Sequence, residues 1–187
     1  MPIQVGRRPD HDVDQPLGLL SDCHRRIEHF LEVLVAIDRH FAGGQLTPAQ
    51  HGELDTALTY FATAAPKHTA DEEESLFPRL RETPDAAAGQ ALEVLARLER
   101  DHDEAEQHHR TVDTLGRRWL ADGSLEPVAA RALRAHLAAL EAIYQGHIDI
   151  EDRELFPAAA RLLSTNQLTA VGREMVARRL RPTIAPS

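Results

Sequence analysis

The sequence predicts an all-α protein, an antiparallel up-down four-helix bundle with a short extra C-terminal helix. Ala, Leu, Glu and Arg dominate long stretches whose apolar residues recur at spacings of three and four, and β-branched alternation is rare. Proline and glycine divide the chain into four segments of roughly 25 to 38 residues joined by short loops. At 1.5 Å per residue each is about 40 to 55 Å long, the dimension of a bundle helix.

Each element has its own start and stop. Residues 1–15 are polar and charged and read as an arm; Asp14 followed by Pro16 opens helix one, whose stripe includes Leu17, Leu20, Ile27, Leu31 and Leu34. Gly43-Gly44 ends it. Thr47-Pro48 supplies an N-cap and a first-turn proline for helix two, which runs through Leu58 and Phe61 to about Arg81, with Pro66 expected to kink or break it just before His68. Thr83-Pro84 starts helix three, with Leu92, Leu95, Leu98, Val112 and Leu115 inward, and Asp122-Gly123 ends it. Ser124 to Pro127 opens helix four, which includes Leu133, Leu137, Leu140 and Ile143 and runs to about Leu163. Residues 165–180 form a shorter amphipathic helix, followed by a frayed tail. The expected organisation is an arm at 1–15, a bundle over 16–164, and a C-terminal helix and tail over 165–187.

Composition narrows the function classes. With 187 residues the chain is long enough for one sizeable core, and its net charge of -9, with no Lys/Arg-rich run, leaves no footprint for nucleic acid or a membrane surface. Cys23 stands alone, so no internal disulfide forms; the start MPIQVGRRPDHDVD lacks a signal-peptide apolar core. No run approaches the roughly 18 to 20 apolar residues that span a bilayer. The expectation is a cytoplasmic protein in a reducing compartment. Eleven His outnumber the eight aromatic residues, an unusual inversion.

An internal repeat explains part of that inversion. HTADEEESLFP at 68–78 and HIDIEDRELFP at 147–157 both fit H-x3-E-[DE]-x2-L-F-P without a gap, at an offset of 79. Upstream, His24 with Glu28 maps onto His102 with Glu106 at an offset of 78. Each helical hairpin therefore supplies two H-x3-E pairs, and the hairpins are expected to be related by a pseudo-two-fold axis. On a helix, residues i and i+4 share a face, so each pair aims an imidazole and a carboxylate in one direction. His24 and His102 come early in their helices and His68 and His147 late, so an antiparallel bundle brings all four to one level.

That arrangement is what a metal site in a bundle core requires. Buried carboxylates and imidazoles without a counter-charge each cost several kcal/mol, and a metal cation satisfies them together. Mixed imidazole and carboxylate donors suit Fe, Mn or Zn over Mg or Ca, with iron preferred, and carboxylates able to bridge make a dinuclear centre natural. Leu76-Phe77 and Leu155-Phe156 are expected to wall the site from water, with the following prolines redirecting the helices. Glu73 and Asp152, about 100° round the helix from Glu72 and Glu151, are expected to be solvated. Tyr144, one turn before His147, and Tyr60, two turns before His68, read chiefly as packing residues, with support of a ligand the alternative; His109, seven residues after His102 on the same stripe, is a candidate for such support.

These residues resemble the hemerythrin-like family with the HHE cation-binding signature, over about residues 17–163. The resemblance implies a non-haem di-iron centre, its two irons oxo- or hydroxo-bridged. His24, His68, His102 and His147 match the family's terminal ligands, and Glu72 and Glu151 its bridging carboxylates. By the hairpin symmetry His24 and His68 would serve one iron, His102 and His147 the other. Oxygen carriers of the family place a fifth His where this chain has Glu106, and use a longer gap to an Asp where this chain has His147-x3-Glu151. Both departures point to the bacterial HHE group, in which the fold is associated with dioxygen, nitric oxide or peroxide reactivity, redox sensing and iron-centre repair. Glu28 and Glu106 remain open between completing each iron's coordination, closing its exchangeable position, and holding an imidazole or water.

The functional expectation is a di-iron protein that binds or reduces a small diatomic or peroxide ligand, as a monomer or dimer. The alternative is a metal-loaded sensor, or an iron-handling or interaction module without turnover.

Overall fold

The computed structural model describes residues 11–83 and 88–180, which are helical nearly throughout. Helix α1 spans Pro16–Phe41, with Pro16 in the first turn, where its missing N–H costs nothing. It ends where Ala42 takes a left-handed conformation at φ 48° and Gly43 continues it at φ 81°. Helix α2 spans Pro48–Thr63; the Thr47 side chain caps it by accepting from the backbone N–H of Gln50. The break expected at Pro66 falls slightly earlier, at Ala64, and α3 resumes over Ala65–Asp71.

One feature of the backbone carries no residue-type signature in the sequence. At Glu72–Leu76 and again at Glu151–Leu155 the helix widens into a π-helical turn, in which the N–H of Phe77 bonds to Glu72 and that of Phe156 to Glu151. The two turns sit at the same 79-residue offset as the sequence repeat. Short π-helical turns concentrate at functional sites. Beyond them, α4 spans Phe77–Arg81 and α7 spans Phe156–Leu162.

Between these lie α5 over Ala88–Asp122 and α6 over Pro127–Ile150. The start expected at Thr83-Pro84 falls partly outside the described residues, and Leu92, expected inward, is 43% exposed. The helical rods form a ring in which α1 and α5 each pack against both α2 and α6. The final helix, α8, spans Thr165–Leu180 and lies across α1, α3 and the first π-helical turn.

Apolar packing occurs in two layers. The larger includes Ile27, Leu58, Phe61, Val112, Trp119, Leu137 and Leu140; Trp119 Nε1 also donates to the Gly44 carbonyl at 2.8 Å, tying the loop end together. The smaller joins Leu20, Leu76, Phe77, Leu98, Leu155 and Phe156 to Val171 and Met175 of α8. Between the two layers lies a buried polar stratum: His24, His68, Glu72, His147 and Glu151.

Candidate metal centre

Heptad-like phase decides which side chains reach that stratum. Along α1 the inward positions step from Leu20 to His24, then by three to Ile27, and by four again to Leu31. Along the other two arms the phase is opposite: Ala65 steps by three to His68 and then by four to Glu72, and Leu140, Tyr144, His147 and Glu151 follow the same order. The i+4 carboxylate is therefore inward in the late pairs and off the stripe in the early ones.

Six of the eight residues expected as ligands meet. Donor atoms of His24, His68, Glu72 and Glu151 lie within 4.8 Å of one another, and so do those of Glu72, His102, His147 and Glu151. Both groups contain both glutamates. His24 Nε2 is 3.0 Å from Glu151 Oε2 and 3.9 Å from Glu72 Oε1; His102 Nε2 is 3.3 Å from Glu72 Oε2. Within the repeats His68 Nε2 lies 3.2 Å from Glu72, and His147 Nε2 3.2 Å from Glu151.

Glu28 and Glu106 are not at the centre. Both are exposed, displaced by the three-residue step to Ile27 and Ala105. Glu106 accepts from Arg110 at 2.7 Å. Glu28 lines an outer groove of about 480 Å³ between α1 and α6. Neither position can complete, close or brace the buried cluster.

Conversely, Glu73 and Asp152 are not simply solvated. Glu73 Oε1 lies 2.7 Å from His102 Nδ1, and Asp152 Oδ1 lies 3.0 Å from His24 Nδ1 and also accepts from the Ser21 hydroxyl. Each carboxylate comes from one hairpin and fixes an imidazole of the other, leaving Nε2 turned toward the centre. Asp101 stands 3.6 Å from His147 Nδ1. The signal was present in the repeat, since an acidic residue follows each inward glutamate. A flank position in a bundle faces the neighbouring helix about 8–10 Å away rather than open water.

The expected aromatic wall is reciprocal as well. Phe77 stacks on His102, with centroids 6.2 Å apart, and Phe156 on His24 at 5.4 Å. Cys23, beside His24, faces away from the cluster, its sulfur 3.2 Å from an Arg26 guanidinium nitrogen.

The electrostatics are those of a site built for a cation. Both oxygens of Glu72, both of Glu151, and Nε2 of His24 and His102 are buried with no hydrogen-bond partner. Such groups are normally satisfied, so this concentration of orphans fits a metal ion in the donor cage. Burial alone would push the glutamates up; the surrounding imidazoles reverse this and hold Glu72 well below, and Glu151 below, the usual carboxylate range. Burial likewise opposes charge on His24 and His102. The Asp152 carboxylate bonded to Nδ1 and the negative charges of Glu151 and Glu72 beside Nε2 raise His24 well above its ordinary value, and Glu72 and Glu73 in the same way raise His102 to about 10. In His68 burial wins, and the ring is pushed down to about 4.

A helical bundle with imidazoles and carboxylates converging at its centre defines a metal-cation-binding protein. The model of the hemerythrin HHE cation-binding domain matches residues 15–159, and the chain belongs to that family. It is also 29% identical over 173 residues to an uncharacterized protein of Haemophilus influenzae, covering 89% of this chain and 91% of that one. No described helix is long and apolar enough to cross a membrane.

Proposed function

We propose that the chain is a non-haem di-iron protein that binds or reduces a small ligand, namely dioxygen, nitric oxide or peroxide. The observation that carries this reading is the sharing of Glu72 and Glu151 by two otherwise separate donor sets. One metal would be held by His24 and His68, the other by His102 and His147, with the two glutamates bridging. When bound, a pair of irons would supply an exchangeable position for a small ligand and electrons for its reduction; of the alternative metals manganese could do the same, whereas zinc would bind a ligand without reducing it.

The protein's own part is to position and enclose. Glu73 and Asp152 hold His102 and His24 by Nδ1. Phe77, Phe156, Leu76 and Leu155 close the side toward the smaller apolar layer. On the other side the four imidazoles face a small cavity roofed by residues one helical turn away, including Ile27, Ala65 and Tyr144. The exchangeable position belongs on that side.

Metal analysis with optical spectroscopy on protein prepared with iron tests the reading, with about two irons per chain expected from the two donor sets. A fully folded chain that takes up no iron would sink it.

A second reading, a metal-loaded sensor without turnover, is favoured by one contact. Arg178 and Arg179 of α8 both pair with the buried Asp71, whose neighbour is Glu72. If α8 reports the state of the centre, metal removal increases amide exchange in residues 165–180; unchanged exchange excludes that role.

A further inference from the structure

The cavity over the imidazoles is small, polar on one side, and asymmetric. It measures about 10 Å³. Its roof breaks the internal symmetry: by the 79-residue offset Ala65 corresponds to Tyr144, and Thr69 to Ile148. One half contributes a methyl group where the other contributes a phenol. Tyr144 and Ile148 also floor the outer groove, so the phenol stands between the groove and the cavity.

Tyr144 is held by a residue the metal reading does not use. Its hydroxyl lies 2.8 Å from Nε2 of His109, whose ring is stacked on Phe61 at 4.4 Å. Burial, together with His108, pushes His109 down to about 4, so at neutral pH its ring carries one proton. His109 Nδ1 is buried without a partner. Placing the proton on Nδ1 would orphan an N–H donor in the core. Placing it on Nε2 leaves only an unused lone pair and makes the imidazole the donor to the phenolic oxygen. The phenol proton is then uncommitted. Burial, with Tyr60 and Glu72 nearby, holds Tyr144 well above its ordinary range, so the phenol keeps that proton.

We propose that Tyr144, its oxygen accepting from Nε2–H of His109, turns its O–H into the cavity over the four imidazoles and donates a hydrogen bond to the small ligand that enters there. The ligand class this selects has a lone pair or partial negative charge on its outer atom. Tyr144 is a specificity-determining residue and His109 the positioning residue behind it. The inference rests on the di-iron reading above.

The test compares iron-loaded wild type with Tyr144→Phe, which keeps the ring and removes only the hydroxyl, using azide as probe. Equal iron content is expected in both proteins. Azide should bind the variant about tenfold more weakly, the effect of one lost hydrogen bond. The vibrational stretch of bound azide should shift between H₂O and D₂O in wild type and not in the variant. In the metal-free chain, nitrogen NMR should find His109 as the Nε2–H tautomer. Equal azide affinity with the same isotope shift in both proteins, or an Nδ1–H tautomer, overturns the inference and leaves the di-iron reading intact. Lower iron content in the variant would assign Tyr144 to metal retention and also overturns it. Wild type that takes up no iron removes both readings together.

Discussion

Glu73 Oε1 lies 2.7 Å from His102 Nδ1, so a carboxylate of the first hairpin holds an imidazole of the second. Asp152 returns the contact to His24 at 3.0 Å. These braces orient Nε2 and increase its basicity without entering the donor cage. Glu73→Gln and Asp152→Asn should leave the fold intact and weaken metal binding by about 10- to 100-fold, the usual cost of losing such a partner. Competition with a chromophoric chelator measures it; unchanged affinity in both variants would show that the carboxylates only decorate the flank.

The two glutamates should behave differently from the imidazoles. Because Glu72 and Glu151 each belong to both donor groups, Glu72→Ala or Glu151→Ala should cost both metals together. His68→Ala removes a donor from one group only and should leave a chain enriched in singly loaded protein. Metal content by mass spectrometry of the intact chain separates the two patterns. Loss of a single metal from Glu72→Ala would refute the bridging assignment.

Metal loading should release protons. In the metal-free chain His24 and His102 are raised, the latter to about 10, so at pH 7 both are imidazolium ions with a second ring proton on Nε2; Glu72 and Glu151 are lowered and already ionised. Nε2 must lose its proton to become a donor atom, so loading at pH 7 should expel about two protons per chain. Titration calorimetry in buffers of different ionisation enthalpy reads this as a slope. A slope of zero contradicts the protonation pattern.

Much of this was written in the spacing, and the remainder failed for identifiable reasons. The four histidines, Glu72 and Glu151 follow from i,i+4 pairing and the repeat, and both survive folding because helices preserve them. Glu28 and Glu106 obey the same i+4 spacing yet are exposed, because spacing within a pair does not fix the phase of the inward stripe. Ile27 and Ala105, three residues after their histidines, reveal that phase, and both were visible as apolar or small residues. The π-helical turns at Glu72–Leu76 and Glu151–Leu155 were not legible, since widening a turn by one residue requires no particular side chain. Tyr144 and His109 both sit on inward stripes, but their pairing spans α6 and α5 and depends on the register between helices.

His109 sets an acid limit independent of the metals. Its folded value of about 4 lies below the ordinary 6.5, so between those values the unfolded chain binds a proton that the folded chain refuses. The metal-free chain should lose this contribution to stability progressively as pH falls from about 6.5 to about 4, with no further loss below. Urea unfolding of wild type and His109→Phe across that window isolates it: the difference between the two should change with pH. A constant difference would mean that His109 titrates normally in the fold.

Helix α8 is pinned at the centre's outer edge by charge. Asp71 is fully buried, and its carboxylate meets Arg178 and, at 2.7 Å, Arg179; Arg178 also reaches Glu74 and the Ser75 hydroxyl, both at 3.1 Å. A second contact, Arg79 to Glu174 at 2.6 Å, ties α4 to the same helix. Removing one arginine leaves the other facing Asp71, so Arg178→Ala should cost about 1–3 kcal/mol, the range for a hydrogen bond to a charged group. Removing both strands a buried carboxylate, and Arg178→Ala with Arg179→Ala should cost about 3–5 kcal/mol. Asp71→Asn added to the double variant removes the stranded charge and should restore part of the loss. Asp71 precedes Glu72 at the start of the π-helical turn, so the double variant should also bind metal more weakly than wild type. Denaturant unfolding and chelator competition on the same four proteins check both effects. Recovery of stability by Asp71→Asn without recovery of metal affinity would show that α8 positions Glu72 in addition to covering it; no loss in the double variant would show that the helix is held by Val171 and Met175 alone.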